Sequence, residues 1–277
     1  MIHVSASLAA RIERVETSLM SAVGDAVTRR LGDPGAFDRV LGGGVAVMAG
    51  PDSPCSKVAG LGFAPLAADA LEAVEQAFAR ASAPVRVELS SLGDPDAARL
   101  LSARGYVLSG FENVLGLTLP ALPARATDVS IVVSPAGAAD AAALMHVLTT
   151  GFLHADVVDG PPPTETVDPG AVGDIFSDMA QAPGFSQYLA RRANQPAGGA
   201  SMRIHDGIAQ LCGAATLPEH RRRGVQTALL HHRLAIAAAA GCDLAVVTTA
   251  PGSKSQENVQ RLGFELLYVR AILIKPV

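Results

Sequence analysis

The chain has 277 residues, 49% of them hydrophobic and 17% charged, with a formal net charge of −4, 4% aromatic residues and no tryptophan. That length gives room for two modest domains with a real core. Negative charge and few stacking rings exclude a nucleic-acid footprint, the sole dense basic cluster being Arg221 to Arg223. Three cysteines, Cys55, Cys212 and Cys242, stand in no ligand spacing, which excludes a disulfide framework and a zinc site. The longest apolar stretch, 234–240, falls far short of the roughly 20 residues a membrane span needs. The expectation is a soluble, unexported, cytoplasmic protein without a metal.

In chain order, the spacing of Leu8, Ile12, Val15 and Leu19 predicts a helix over 7–31. Gly42, Gly43 and Gly44 predict a tight turn between strands, and the alanine-rich run 67–80 predicts a second helix. The prolines of Leu119-Pro120-Ala121-Leu122-Pro123 suit a short linker, because each lacks a donor and restrains its predecessor, and they put a domain boundary near 122. Beyond it, Ser130-Ile131-Val132-Val133 is strand-like, and residues 140–151 have helical spacing through Ala143, Leu144, Val147 and Leu148. Residues 155–166, with three consecutive prolines, read as a loop over a site. Three antiparallel strands follow at 187–191, 198–203 and 208–216. A helix at 225–240 leads through Gly241 to a strand at 244–249, a crossover that implies parallel pairing. A second crossover helix at 253–261 delivers two last strands, 264–268 and 271–275.

The chain also repeats itself. Displaced by 158 residues, Leu100-Leu101-Ser102-Ala103-Arg104-Gly105-Tyr106 falls on Asn258-Val259-Gln260-Arg261-Leu262-Gly263-Phe264. Without a gap, Glu88 to Ser91 falls on Val246 to Thr249, and 67–80 falls on 225–238. The chain reads as two copies of one α/β unit, residues 1–122 and 126–277.

Between the strand near Leu217 and the helix at Val225 stands Pro218-Glu219-His220-Arg221-Arg222-Arg223-Gly224. The first N–H groups of a helix have no internal partners and carry partial positive charge, so such a turn is built to hold phosphate. Gly224 lets a ligand approach the backbone closely. The first copy has Gly62-Phe63-Ala64-Pro65-Leu66-Ala67-Ala68-Asp69 there, with Leu66 in place of Gly224, no arginine, and an aspartate that repels phosphate. That copy is expected not to bind an anion at this position.

The order Arg221-x-x-Gly224-x-Gln226 between a strand and a helix, closed by Leu262-Gly263-Phe264, resembles the GCN5-related N-acetyltransferase (GNAT) family over residues 126–277. The family's turn is written Q/R-x-x-G-x-G/A, and Gln226 departs from it at the small sixth residue. The resemblance implies an α/β (α+β) fold of two GNAT-like domains, each a mixed, mostly antiparallel sheet flanked by helices. The first copy is then a degenerate partner that covers an edge or an apolar face of the second and is placed to wall its cleft. Acetyl-CoA is the implied cosubstrate. Its pantetheine arm would pair with the backbone of Ala215, Thr216 and Leu217. Its pyrophosphate would sit on the N–H groups of Arg223, Gly224, Gln226 and Thr227, with Val225 in the same turn and the side chains of Arg221, Arg222 and Arg223 adding charge. Asn258 is a candidate polar contact to the cofactor arm.

The implied chemistry is direct attack of a neutral primary amine, on a small molecule or a peptide, at the thioester carbonyl, helped by proximity and by a proton acceptor. Where many family members carry a tyrosine acid this chain has Val259, and Tyr268 on the expected sixth strand is the candidate substitute. His154 opens the proline-rich loop and could titrate. Glu219 and His220 read as hydration of the turn's entrance, and His232 shares helical spacing with Val225, Leu229 and Ile236 as a packing residue. A water relay to bulk solvent needs no named base. The alternative is a CoA-responsive regulatory module without turnover. Neither nucleic acid nor membrane is an expected partner, and homodimerisation stays open.

Overall fold

The computed structural model describes residues 2–32, 37–120, 130–154 and 171–276. The first half runs α1 (Ala6–Leu31), β1 (Phe37–Leu41), β2 (Gly44–Met48), β3 (Lys57–Leu61), α2 (Ala68–Arg80), β4 (Val85–Ser90), α3 (Pro95–Ala103) and β5 (Val107–Thr118). The second runs β6 (Ile131–Pro135), α4 (Ala141–Leu153), α5 (Ala171–Met179), β7 (Phe185–Arg192), β8 (Gln195–His205), β9 (Ile208–Thr216), α6 (Val225–Ala239), β10 (Leu244–Thr249), α7 (Lys254–Gln260) and β11 (Glu265–Lys275). The bounds of β9 and β10 agree with the sequence reading. Helix α5 was not foreseen. The expected loop at 155–166 and the linker residues 121–123, with the boundary at 122, lie outside the described residues.

Local signals account for several boundaries. Ser5 caps α1 by accepting from the Leu8 N–H at 3.2 Å, and Gly32 ends that helix in the left-handed region at φ 61°. The turn between β1 and β2 is made by Gly42 and Gly43, while Gly44 opens β2 because a Cβ there would stand 2.0 Å from the Ala59 carbonyl oxygen.

Among the described residues, the eleven strands form one mixed sheet in the order β1-β2-β3-β4-β11-β5-β10-β9-β8-β7-β6. Strands β7, β8 and β9 are antiparallel, and β9 and β10 are parallel, as their short and long connections require. The halves exchange their last strands: β11 lies between β4 and β5, and β5 between β11 and β10. Arg270 stands opposite Glu112, 158 positions away, so equivalent places in the repeat face each other across an approximate twofold axis. The two strands expected at 264–268 and 271–275 are one continuous strand. The chain runs through Val269 and Arg270 without turning because β5 pairs with both, with an irregularity between Leu266 and Tyr268.

Helices cover both faces. On one, α6 and α7 bury Leu229, Leu230, Leu234, Val259 and Phe264 against Leu211 and Ala245. On the other, Ile12 and Val15 of α1 pack on Ile208, Leu244, Val246 and Tyr268. In the first half, Leu71, Val74 and Phe78 of α2 and Leu101 of α3 pack on β3 and β4.

A buried charge network closes the exchanged strands. Arg270 Nε donates to Glu13 Oε1 at 2.8 Å, and its Nη1 donates to Glu112 Oε2 at 3.0 Å and lies 3.6 Å from Glu88. Lys57 donates to Glu88 and Glu16, at 2.9 and 3.3 Å, and Arg86 Nε lies 3.9 Å from Glu88. Four carboxylates thus meet three cations, and burial together with Glu88 pushes Glu112 up to about 7 from an ordinary 4.5. The folded carboxyl therefore holds its proton more tightly than the unfolded one. Its stabilising contribution is full below the ordinary carboxylate range and is lost as pH rises through about 7. Glu112→Gln should become progressively more stable relative to wild type between about pH 4.5 and 7, read as the difference in thermal midpoint; a difference independent of pH would contradict this assignment.

Candidate active site

Helix α6 starts without a side-chain cap: its N-cap is Gly224, left-handed at φ 80°, and the first helical bond runs from the Ala228 N–H to the Gly224 carbonyl at 2.9 Å. By contrast α1, α3 and α7 are capped by Ser5, Asp94 and Ser253. The N–H groups of Val225, Gln226 and Thr227 make no helical bond and are left for another acceptor. Arg222 is also left-handed, at φ 58°, a conformation that costs energy for a side-chain-bearing residue. The Arg222 and Arg223 side chains are exposed, whereas Arg221 is tied back, its Nε to the Thr216 carbonyl at 3.4 Å and its Nη2 to the His154 carbonyl. At the matching helix α2, Asp69 itself accepts from the Ala70 N–H at 2.8 Å, so the first half fills its own anion seat.

Beside this turn two parallel strands part. Pairing of β10 with β9 stops at Val247 opposite Leu211, while β10 stays on β5 as far as Thr249 opposite Asn113. Strand β9 is bent away by an extra residue: Ser201 of β8 faces Cys212 and Ala200 faces Ala214, which leaves Gly213 as a bulge. The ring of Phe176 on α5 lies over it, 2.5 Å from where a Cβ of Gly213 would be. The edge of β9 from Cys212 to Thr216 therefore faces the gap without a β10 partner. Thr216 and Thr249, one at the end of each parted strand, carry buried hydroxyls with no hydrogen-bond partner.

A cavity of about 440 Å³ occupies the opening. On one face it meets Gln226, Leu230 and Arg233 of α6 with Ser255 and Val259 of α7; on the other, Glu16 and Leu19 of α1 with Lys57 of β3. It is a passage through the sheet, walled on one side by the first half of the chain. Glu16 is the sole carboxylate on its described walls, and Gln210 Nε2 donates to Glu16 Oε2 at 2.6 Å.

Residues 154–264 match the model of the acetyltransferase (GNAT) family. The second half of the chain carries a GNAT domain. Solved structures agree on the fold. A GCN5-related N-acetyltransferase from Kribbella flavida is 21% identical over 98% of this chain and 96% of its own, with a TM-score of 0.67. A second such protein, from Sphaerobacter thermophilus, is 16% identical over 74% and 66%, with a TM-score of 0.56. A tandem GNAT protein from the clavulanic acid biosynthesis pathway is 14% identical over 91% and 87%, with a TM-score of 0.57. No protein of curated function matches the chain.

Within the GNAT domain, most of the residues singled out from sequence lie between the end of β9 and the start of α6. Ala215 and Thr216 end β9, Leu217 donates its N–H to the Ala197 carbonyl at 3.0 Å, and Arg221 to Thr227 form the turn and first helical residues. Of these, Gln226 alone reaches the cavity wall. Asn258 is half-buried on α7 next to Val259, which does line the cavity.

The catalytic candidates fare differently. Tyr268 lies in the packed interior under α1, away from the cavity walls, and its hydroxyl donates to Glu13 at 2.6 Å. Burial, and then the Glu13 charge, raise its pKa far above the ordinary phenol value, and its hydroxyl is engaged away from the cavity. His154 ends α4 beside Arg221, with Nδ1 bonded to the Thr150 carbonyl at 2.9 Å. His232 packs edge-on against Tyr188, and burial, then Arg233, lower its pKa. Sequence reasoning missed Glu16. Its signal was a carboxylate beside Ile12, Val15 and Leu19 on the apolar stripe of α1, a place where a merely solvated charge does not belong.

The bulge is open to test. Gly213→Val should cost about 1–3 kcal/mol of folding stability by overpacking against Phe176, measured by denaturant unfolding; an unchanged midpoint would mean that the ring does not hold the bulge.

Proposed function

We propose that the chain is an N-acyltransferase that moves an acetyl (acyl) group from acetyl-CoA to a primary amine of a small molecule or peptide. In this reading residues 126–277 hold the cosubstrate and residues 1–122 are a degenerate GNAT-like partner. The observation that carries it is the meeting of an uncapped, glycine-led helix start with a parted strand pair, a phosphate seat leading directly into a slot lined by unpaired backbone. The two unpartnered threonine hydroxyls suit an amide-bearing arm, since buried polar groups without partners are costly. The three cysteines are free thiols, which suits a cytoplasmic location.

Bound acetyl-CoA supplies an activated thioester. The chain's own residues would seat the diphosphate on the amides from Arg223 to Thr227, align the arm along Ala215 to Leu217, with Asn258 flanking it, and hold the acyl group near the Gly213 bulge. The acceptor would enter from the face of α1, where Glu16, held by Gln210 and Lys57, would take the proton as nitrogen bonds to the carbonyl carbon and the carbon–sulfur bond breaks; CoA would leave as the thiolate and take up that proton from Glu16 or solvent.

Two substitutions separate seat from base. Gly224→Glu should weaken acetyl-CoA binding by at least about 100-fold in calorimetric titration, because it brings negative charge to the anion seat, while Gly224→Ala controls for backbone strain. Equal affinities of wild type and Gly224→Glu would refute the placement. Glu16→Gln should leave that affinity intact and lower turnover by about 10²–10⁴-fold, read as release of CoA thiol with an amine panel; undiminished release would assign the proton elsewhere. Val259 at the position of the family's tyrosine favours a second reading, a CoA-responsive module without turnover. Tight binding with no thiol release across the panel would select it.

A further inference from the structure

Among the cations on the cavity wall, Lys57 and Arg270 are neutralised by Glu13, Glu16, Glu88 and Glu112. Arg233 is not. It is 1% exposed, in the middle of α6, and its described hydrogen bonds go only to backbone: Nε to the Leu229 carbonyl at 3.2 Å and Nη1 to the Ser201 carbonyl at 2.8 Å. Burial drives its pKa down to about 10, and no carboxylate contributes to its charge environment. The neighbouring Cys212 offers no counter-charge, because burial pushes its thiol up to about 12. A backbone carbonyl can be satisfied by a neutral donor, so bonding to Ser201 does not explain a full positive charge, whose burial without a partner is strongly unfavourable.

The position of Arg233 says where the missing anion would lie. Gln226, Leu230 and Arg233 form one stripe of α6 along the cavity, and Arg233 is about 10 Å further from the phosphate turn than Gln226. It also lies against the Ser201–Cys212 pair that borders the Gly213 bulge. A ligand threaded from the turn presents its far, reacting end there. Planar guanidinium donors match a carboxylate in two-point contact, which a lysine would not reproduce.

We propose that Arg233 is a carboxylate seat at the reacting end of the passage, selecting for a carboxylate carried either by the acyl group being transferred or by the acceptor amine. This inference rests on acyl-CoA occupying the passage. The acyl transfer itself is unchanged: the amine nitrogen bonds to the carbonyl carbon, the carbon–sulfur bond breaks, and the amine proton passes to the base.

The test uses the full chain as wild type, Arg233→Met and Arg233→Lys, with thermal unfolding to verify folding. One arm titrates acetyl-CoA and succinyl-CoA by calorimetry; the other compares CoA-thiol release from acetyl-CoA with an α-amino acid and with its decarboxylated amine. Wild type should favour the carboxylate-bearing compound by about ten-fold or more in one arm, which names the source, and Arg233→Met should abolish that preference while keeping acetyl-CoA affinity. Arg233→Lys should retain only part of it, and it replaces the methionine variant as the probe should that variant not fold. No preference in either arm despite normal acetyl-CoA binding, or a preference that survives the substitution of Arg233, would overturn the seat alone. Failure of acetyl-CoA to bind wild type would instead remove the function on which the seat depends.

Discussion

Strand β9 cannot follow β10 past Leu211, and the candidate site is a consequence of that parting. The extra residue at Gly213 turns β9 away, the Phe176 ring occupies the space a side chain would need, and β10 is held on its other side by β5. A sheet normally satisfies its backbone through ladder bonds, so a strand edge left open in the interior calls for an external partner. Gly224 places the start of α6 at the same end of the gap, which brings unpaired helix amides and unpaired strand groups into one passage.

The strand exchange ties the first half of the chain to the second. With β11 set between β4 and β5, neither half can complete its sheet alone. The buried Arg270 and its carboxylates lie where the exchanged strands meet, and Glu16, at the edge of that network, reaches the passage. Removing one partner from such a network leaves an uncompensated charge, so the network constrains how the halves meet more than it adds stability. Asp69 on the Ala70 amide puts one carboxylate in the first turn of α2, where it serves as a built-in anion.

Much of this was legible in the chain. The uncapped, glycine-led start of α6 was readable because its requirements are local, a glycine able to take positive φ, no Ser, Thr, Asp or Asn at the cap, and neighbouring arginines. The limits of β9 and β10 were readable from punctuation by Gly207, Gly241 and neighbouring polar residues. The continuous β11 was not, because partners of a strand are chosen by long-range contacts that leave no mark on its alternation. Tyr268 could be put on a strand from sequence, yet the face it shows depends on α1, which lies at the other end of the chain. Glu16 and Arg233 were not singled out from sequence, although each sits among apolar residues at helical spacing, and that mismatch was the available sign of a buried charge.

The most direct measurement is a crystal structure of the protein with coenzyme A. The account predicts the diphosphate within hydrogen-bond distance of the amides between Arg223 and Thr227, and the arm lying along the open edge of β9 toward the Gly213 bulge. A diphosphate bound elsewhere, with the Gly224 turn empty and the β9–β10 gap closed by the protein's own side chains, would contradict it.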